Sequence, residues 1–402
     1  MIRRVRLTNS FKEFFENEKS AGMMLILCSI ISLIIANSAF GSDYLGIWKI
    51  YVGGLTLSYW VNDGLMAIFF LLIGLELKRE LFEGELSNPR NALLPIVAAL
   101  GGAILPAAIH FYLNWGLPTK AGFGIPMATD IAFALSILAM VGTRAPASLK
   151  IFLTAVAVID DLIAIIIIAV FYTSKLSFLY LGLAIGVFLL LMVFNYLKFM
   201  KLPIYLVGGA LLWFFMLKSG VHATIAGVLL AFTIPYTPEV DDDDALSYLE
   251  HLLHKPVAFF IMPVFALANT GIVVGAGWAG ELMTPNSMGI IIGLLVGKVI
   301  GVTTASFVSV KLGICRLPMY LKWKHIIGAG FLAGIGFTMS IFITNLAFKN
   351  LANGGALINS SKMAILLTSL VSGIIGYLWL VSLSRLSTEE NRNETISYDD
   401  ED

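Results

Sequence analysis

Charge is what this chain has least of. Only 13% of its 402 residues are Asp, Glu, Lys or Arg, against about 25% in a soluble globular domain. Apolar residues make up 58%, and mean hydropathy is +0.88. An apolar majority of that size needs lipid as its solvent, which excludes an ordinary soluble fold. An excess of one sign of charge is also missing. Lys+Arg and Asp+Glu both number 26, so nothing points to nucleic acid as a partner. Cysteine is nearly absent. Cys28 lies in the first apolar segment and Cys315 beside Arg316, which excludes a disulfide framework and predicts two reduced, structural thiols. The stretch Met1–Ser20 has no apolar h-region. It reads as a short amphipathic cytoplasmic segment, not a cleaved signal peptide.

What the chain does have is long apolar runs, and about 20 apolar residues cross a bilayer. Twelve such spans are predicted: 22–39, 59–84, 92–114, 122–142, 148–172, 177–198, 203–217, 221–236, 256–275, 287–311, 325–349 and 358–384. Between the first two, Gly41–Ser58 alternates loosely and predicts a short external hairpin. The tail from Ser387 is polar and acidic, a composition that reads as disordered. The expected fold is an all-α polytopic membrane protein. Residues 1–386 would form one 12-span domain, followed by an acidic tail over 387–402. Basic residues in the loops set the direction. With the N-terminus inside, nineteen Lys and Arg fall on the inside, six outside, and Lys298 within a span. Both termini are therefore expected in the cytoplasm.

Four charges stand away from the span ends: Asp130, Asp160, Asp161 and Lys298. Ionisable side chains within the bilayer are expensive and mark ion paths. Asp160 follows Lys150 by ten residues, and Asp130 follows Lys120 by ten. At 1.5 Å per residue, each lies roughly 15 Å deep, near the midplane of a core of about 30 Å. Lys298 reaches the same depth from the opposite side. A structural ion pair, Asp160–Lys298, would use two of the four and leave two carboxylates over. That surplus of negative charge must be neutralised by a cation or by protons. Hard oxygen ligands suit Na⁺, Li⁺ and H⁺ better than soft metals.

Two spans look broken. Span 4 carries Gly122, Gly124 and Pro126 just before Asp130, and span 11 carries Gly328, Gly330, Gly334 and Gly336. Proline removes a helix hydrogen bond and glycine lets the backbone unwind. Unwound backbone survives at this depth only against protein or a cavity. Asp130 would then sit beside the positive end of a half-helix. The stretch Gly124–Asp130 also aligns with Gly334–Ser340, on spans that run in opposite directions. This predicts an inverted repeat of spans 3–5 and 10–12, with spans 4 and 11 as discontinuous crossing helices.

Five motifs carry a family resemblance: MATDIAF (Met127–Phe133), AVIDDLIAI (Ala157–Ile165), FFLLIGLELKRE (Phe69–Glu80), GKVIG (Gly297–Gly301) and GIGFTMSIFI (Gly334–Ile343). In combination the sequence resembles the NhaA family of bacterial Na⁺/H⁺ antiporters over nearly all its spans. Inverted repeats are an established trait of that family, so the resemblance implies one independently of the alignment above. It also implies a multi-pass protein of the bacterial inner membrane, exchanging two protons for each Na⁺ or Li⁺, without a cofactor. Asp160 and Asp161 would bind the metal ion and the protons. Thr129 and Asp130 would lie at the helix crossing, and Lys298 would balance their charge. Glu76, Arg79, Glu80, Glu250, His251 and His254 match a cytoplasmic pH-response cluster. A homodimer through the external hairpin is a family expectation.

On the residues alone, Glu76–Glu80 also reads as a snorkelling helix end, and His251 and His254 as ordinary loop histidines. His222 reads as structural, and His110 and His325 receive no role. Asp63, near an outer span end, is a candidate for an external funnel. The acidic run Asp241–Asp244 matches no motif. The alternative function is a proton-coupled solute symporter, which should offer aromatic or Arg anchors in mid-span. No Arg lies there. An intramembrane aspartyl protease would need a Gly-x-Gly-Asp context, which Ala-Thr-Asp and Ile-Asp-Asp do not supply.

Overall fold

The computed structural model describes residues 9–399, except 174–175, 200, 237–244, 276 and 319. The run Asp241–Asp244 therefore lies outside the described residues. Among those described, ten helices are long and apolar enough to cross a membrane, and one bent pair makes an eleventh. Each falls on a predicted span. The remaining prediction, 221–236, holds helix Ile225–Thr233, which at nine residues is about 14 Å long and short of the hydrocarbon core. The carbonyls its end leaves without a helical partner are met by other spans. Lys78 Nζ donates to Phe232 O at 3.0 Å and Ile234 O at 2.5 Å, and Asn195 Nδ2 to Thr233 O at 2.8 Å. Lys78, read from sequence as an inside-facing charge, is thus buried as a helix cap.

Three further boundaries differ from expectation. Span 9 begins at Ala245 and ends at Asn269, because Leu246, Leu249 and Leu253 form an apolar stripe that carries the helix back past Pro256. His251 and His254 therefore stand on a helix and not in a loop. The external hairpin exists, but its strands Tyr51–Val52 and Leu55–Thr56 are two residues each, and helix Gly41–Ile47 takes the rest of that stretch. Gly53 and Gly54, at φ 61° and 85°, form the tight turn that L side chains resist. The last helix continues from Gly354 to Asp399, where disorder was expected. No Gly or Pro after Gly376 interrupts it.

Both expected breaks are present. Span 4 is a 3-10 helix, Pro118–Met127, then extended backbone at Ala128 and Asp130, then helix Ile131–Val141. Span 11 is Trp323–Ala333 followed by Phe337–Phe348, bent by 47°. The two breaks cross. The Asp130 amide donates to Ile335 O at 2.7 Å, and Ser340 Oγ donates to Ile125 O at 2.7 Å. In the alignment Asp130 matches Ser340 and Ile125 matches Ile335, so the two bonds are each other's counterparts about a pseudo-two-fold axis. Spans 3 and 10, equivalent under the same repeat, also cross on that axis. A Cβ on Gly301 would overlap the Gly101 carbonyl, and one on Gly101 the Gly301 carbonyl. Only glycine permits this approach. Spans 4 and 5 are mostly enclosed by protein, whereas spans 6 and 7 mostly face outward.

Candidate functional site

The unwound segment of span 4 turns its polar groups onto span 5. Thr129 and Asp130 are fully buried, as are Asp160, Asp161 and Lys298. Lys298 Nζ donates to Asp160 Oδ2 at 2.7 Å and to the Met127 carbonyl. That carbonyl is released by the break at Ala128. A π-helical turn, Gly293–Gly297, delivers Lys298 to this point, and such bulges recur at functional sites. Thr129 Oγ1 donates to Asp160 Oδ2 at 2.6 Å and lies 2.8 Å from Ala333 O. Asp160 Oδ2 is thus saturated. Asp160 Oδ1 and both oxygens of Asp161 have no hydrogen-bond partner among the described residues.

Asp130 has a different environment. Its Oδ1 accepts from Phe133 N at 3.0 Å, capping Ile131–Val141. Its Oδ2 accepts from the amide of Thr338 at 3.0 Å and from the Thr338 hydroxyl. One carboxylate therefore faces the positive N-terminal ends of two half-helices. Thr338 was not singled out as a site residue from sequence. In the alignment its counterpart is Ala128, so the repeat did not reveal its contact with Asp130.

Two cavities open on the side assigned to the cytoplasm. One of about 350 Å³ is lined by Glu80, Glu83, Asn91, Thr154 and Ala155, among others. The other, of about 750 Å³, shares Asn91, Ile151 and Ala155 and reaches Arg316. Ala155 is five residues before Asp160, roughly 8 Å along the helix.

Of the residues matched to a pH-response cluster, Arg79, Glu80, His251 and His254 all lie within electrostatic reach of Glu250. Arg79 Nη1 donates to Glu250 Oε1 at 2.9 Å, joining the inner ends of spans 2 and 9. Glu250 is buried, and its Oε2 has no hydrogen-bond partner among the described residues. Glu80 lines the smaller cavity. Glu76 and His254 are half-buried and His251 is exposed. Asp63 is buried and not open to an external funnel. His222 Nε2 lies 2.8 Å from Tyr172 O, tying the start of the short helix to the end of span 5. His325 Nδ1 accepts from the Lys322 amide at 3.1 Å. His110 is fully buried, with Nε2 3.1 Å from Asn286 Oδ1, and Asn286 donates in turn to Ser361 Oγ at 2.7 Å. Sequence gave no sign of that link, because neither partner belongs to a recognised motif. Cys28 and Cys315 are both free.

A buried carboxylate cluster at the crossing of two broken helices, with a polar cavity below it, defines a secondary transporter of small cations. Comparison with known proteins narrows the class. The family described as Na⁺/H⁺ antiporter 1 matches residues 12–380. The chain is 62% identical over 377 residues to a protein of Dechloromonas aromatica named Na⁺/H⁺ antiporter NhaA, covering 93% of this chain and 96% of that one. It is 55% identical over 390 residues to a protein of the same name from Flavobacterium psychrophilum, covering 97% and 100%. To the one from Vibrio campbellii it is 45% identical over 390 residues, covering 96% and 99%. The chain belongs to the NhaA family of Na⁺/H⁺ antiporters, and it is a helical, multi-pass membrane protein.

Proposed function

We propose that ions and protons compete in this chain for one buried site, Asp160 with Asp161. The chain is a Na⁺/H⁺ antiporter of the bacterial inner membrane. Its work is transport, not catalysis. The observation that carries the shared-site reading is the set of three carboxylate oxygens, Asp160 Oδ1 and both of Asp161, buried without partners. Unpaired oxygen acceptors at that depth are costly unless a proton or a hard cation meets them. Either occupant serves, and binding of one expels the other.

In this reading Thr129 and Lys298 hold Asp160 Oδ2, so the other three oxygens are left to Na⁺ or Li⁺. Asp130 stabilises the facing half-helix ends and adds negative charge to the site. Each aspartate of the pair surrenders one proton per Na⁺ bound. One net charge then moves inward per cycle, which couples roughly 2.3 kcal/mol per 100 mV to expulsion of Na⁺. Access comes from the cavities near Ala155 in this conformation. The Arg79–Glu250 pair, with Glu76, Glu80, His251 and His254, forms the pH-responsive region, since groups at that mouth sense cytoplasmic protons before the site does. No cofactor takes part. A homodimer through the hairpin belongs to the same reading: Tyr51 and Val52 are exposed and offer strand edges to a second copy.

The test is a preset pH gradient in everted membrane vesicles. Added Na⁺ or Li⁺ should dissipate it when the chain is present and not in vesicles without it. A gradient untouched by either ion would overturn the reading.

A further inference from the structure

We propose that Asn62, Asn269 and Asn345 form a latch that closes the ion site to the outside in this conformation and opens once in each transport cycle. The proposal rests on the antiporter reading for its place in the cycle. Its evidence is geometric.

The distribution of Lys and Arg puts the Leu57 end of span 2, the Asn269 end of span 9 and the Phe348 end of span 11 on the outer side. There the three spans are joined by a chain of side-chain amides. Asn345 Nδ2 donates to Asn269 Oδ1 at 2.8 Å. Asn269 Nδ2 donates to Asn62 Oδ1 at 2.8 Å and to Phe265 O at 3.0 Å. Asn269, the middle link, is 3% exposed, and both its polar atoms are used. The amide chain is one tier of three. On its outer side Lys349 Nζ lies 5.0 Å from the centre of the Tyr59 ring. On its inner side the rings of Phe70 and Phe342, both buried, are 5.6 Å apart. Along span 2 the tiers run 59, 62, 70, and along span 11 they run 349, 345, 342. That is the order of two antiparallel helices closed against each other.

This wall stands on the opposite side of the carboxylates from the cavities that reach Ala155. The half-helix Phe337–Phe348 also connects wall and site directly. Thr338, at its inner end, bonds Asp130, and Asn345 lies seven residues further out, roughly 10 Å along the axis. Movement of this half-helix when the occupant of the site changes is transmitted to the amides. Amides suit a contact that must part repeatedly. Water entering from outside replaces each hydrogen bond, so opening costs only the small net value of the bonds.

Two measurements test the latch. The first needs no transport. Met66 is fully buried, one turn inward of Asn62. In a Cys28→Ser/Cys315→Ser background carrying Met66→Cys, a membrane-impermeant maleimide is applied from outside to right-side-out vesicles. Asn345→Ala should raise the labelling rate about 5-fold, the population shift expected from losing one ordinary hydrogen bond. The second uses the chain with its natural cysteines. Asn345→Ala and Asn62→Ala should each lower the apparent KM for external Na⁺ about 5-fold and change the cytoplasmic KM less than twofold. A variant that merely damages packing lowers maximal rate equally from both sides. Unchanged labelling, or KM values that move together on the two sides, would overturn the latch. Labelling that responds in a parent protein showing no Na⁺-dependent flux would support the latch while removing the antiporter reading.

Discussion

The backbone amide of Thr338 donates to Asp130 Oδ2 at 3.0 Å, across 208 residues of sequence. The other oxygen of the same carboxylate accepts from Phe133 N at 3.0 Å. Asp130 is therefore the N-cap of its own half-helix and a counter-charge to the one facing it. Removing a single N-cap costs about 1 kcal/mol, and two helix ends are served here. Asp130→Ala should lower unfolding free energy by about 2 kcal/mol, and Asp130→Asn by less, because an amide oxygen still caps. Thermal unfolding in detergent micelles measures both. Stability in Asp130→Ala equal to that of the parent would dispose of the double-cap account.

Asp160→Asn should abolish Na⁺-dependent proton flux while the protein remains in the membrane. The substitution keeps the size of the side chain and removes one ligand charge from a site that needs balance. Flux in everted vesicles, normalised to protein by immunoblot, is the measurement. Parent-level flux would take Asp160 out of the site.

Lys298→Ala separates two roles of one ammonium. The loss leaves the Asp160 carboxylate buried without its ion-pair partner, which typically costs 3–5 kcal/mol. A large fall in melting temperature is expected. If Lys298, in place of Asp160, carries one of the two exchanged protons, the charge moved per Na⁺ falls as well, as read from voltage dependence in proteoliposomes. Unchanged stability together with unchanged charge per ion would refute both roles.

Competition at Asp160 and Asp161 makes apparent Na⁺ affinity a function of proton concentration. In the range where both aspartates are protonated, two protons must leave for each ion bound. Acidification should then weaken affinity by about 100-fold per pH unit, or 10-fold if one proton leaves, since each contributes about 1.36 kcal/mol per unit. Above that range the dependence flattens. The groups at the cytoplasmic mouth act differently, on maximal rate. Na⁺ activation measured from pH 6 to 9 in the parent and in His251→Ala/His254→Ala distinguishes them. Affinity that stays flat with pH would falsify the shared site. A rate profile unmoved in the double variant would remove both histidines from the response.

Hydropathy and charge spacing were legible because each acts along a single segment. The spans, the depth of Asp130, Asp160, Asp161 and Lys298, and the breaks at Gly122–Pro126 and Gly328–Gly336 follow from local composition. The start of span 9 was misplaced because its first three turns are amphipathic, and a search for continuous apolar runs passes over them. The helix of the eighth span was overextended for the converse reason. Its apolar run is long, but the backbone leaves the helix after Thr233, where Lys78 and Asn195 supply the hydrogen bonds that a further turn would have made.

The sequence by itself determined that this chain lives in a bilayer, that its carboxylates meet at mid-depth and that two of its spans unwind there. Those outcomes need only the cost of burying charge and the backbone preferences of glycine and proline. The tertiary structure alone decided which groups face one another. Lys298 takes the Met127 carbonyl, Thr338 takes Asp130, and Asn269 joins Asn62 to Asn345. Each of these contacts spans between 76 and 208 residues, so it depends on how helices rotate and cross. Nothing in the neighbouring residues specifies that rotation. It is set by the glycine contact of Gly101 with Gly301 and by the packing of the two repeats around it.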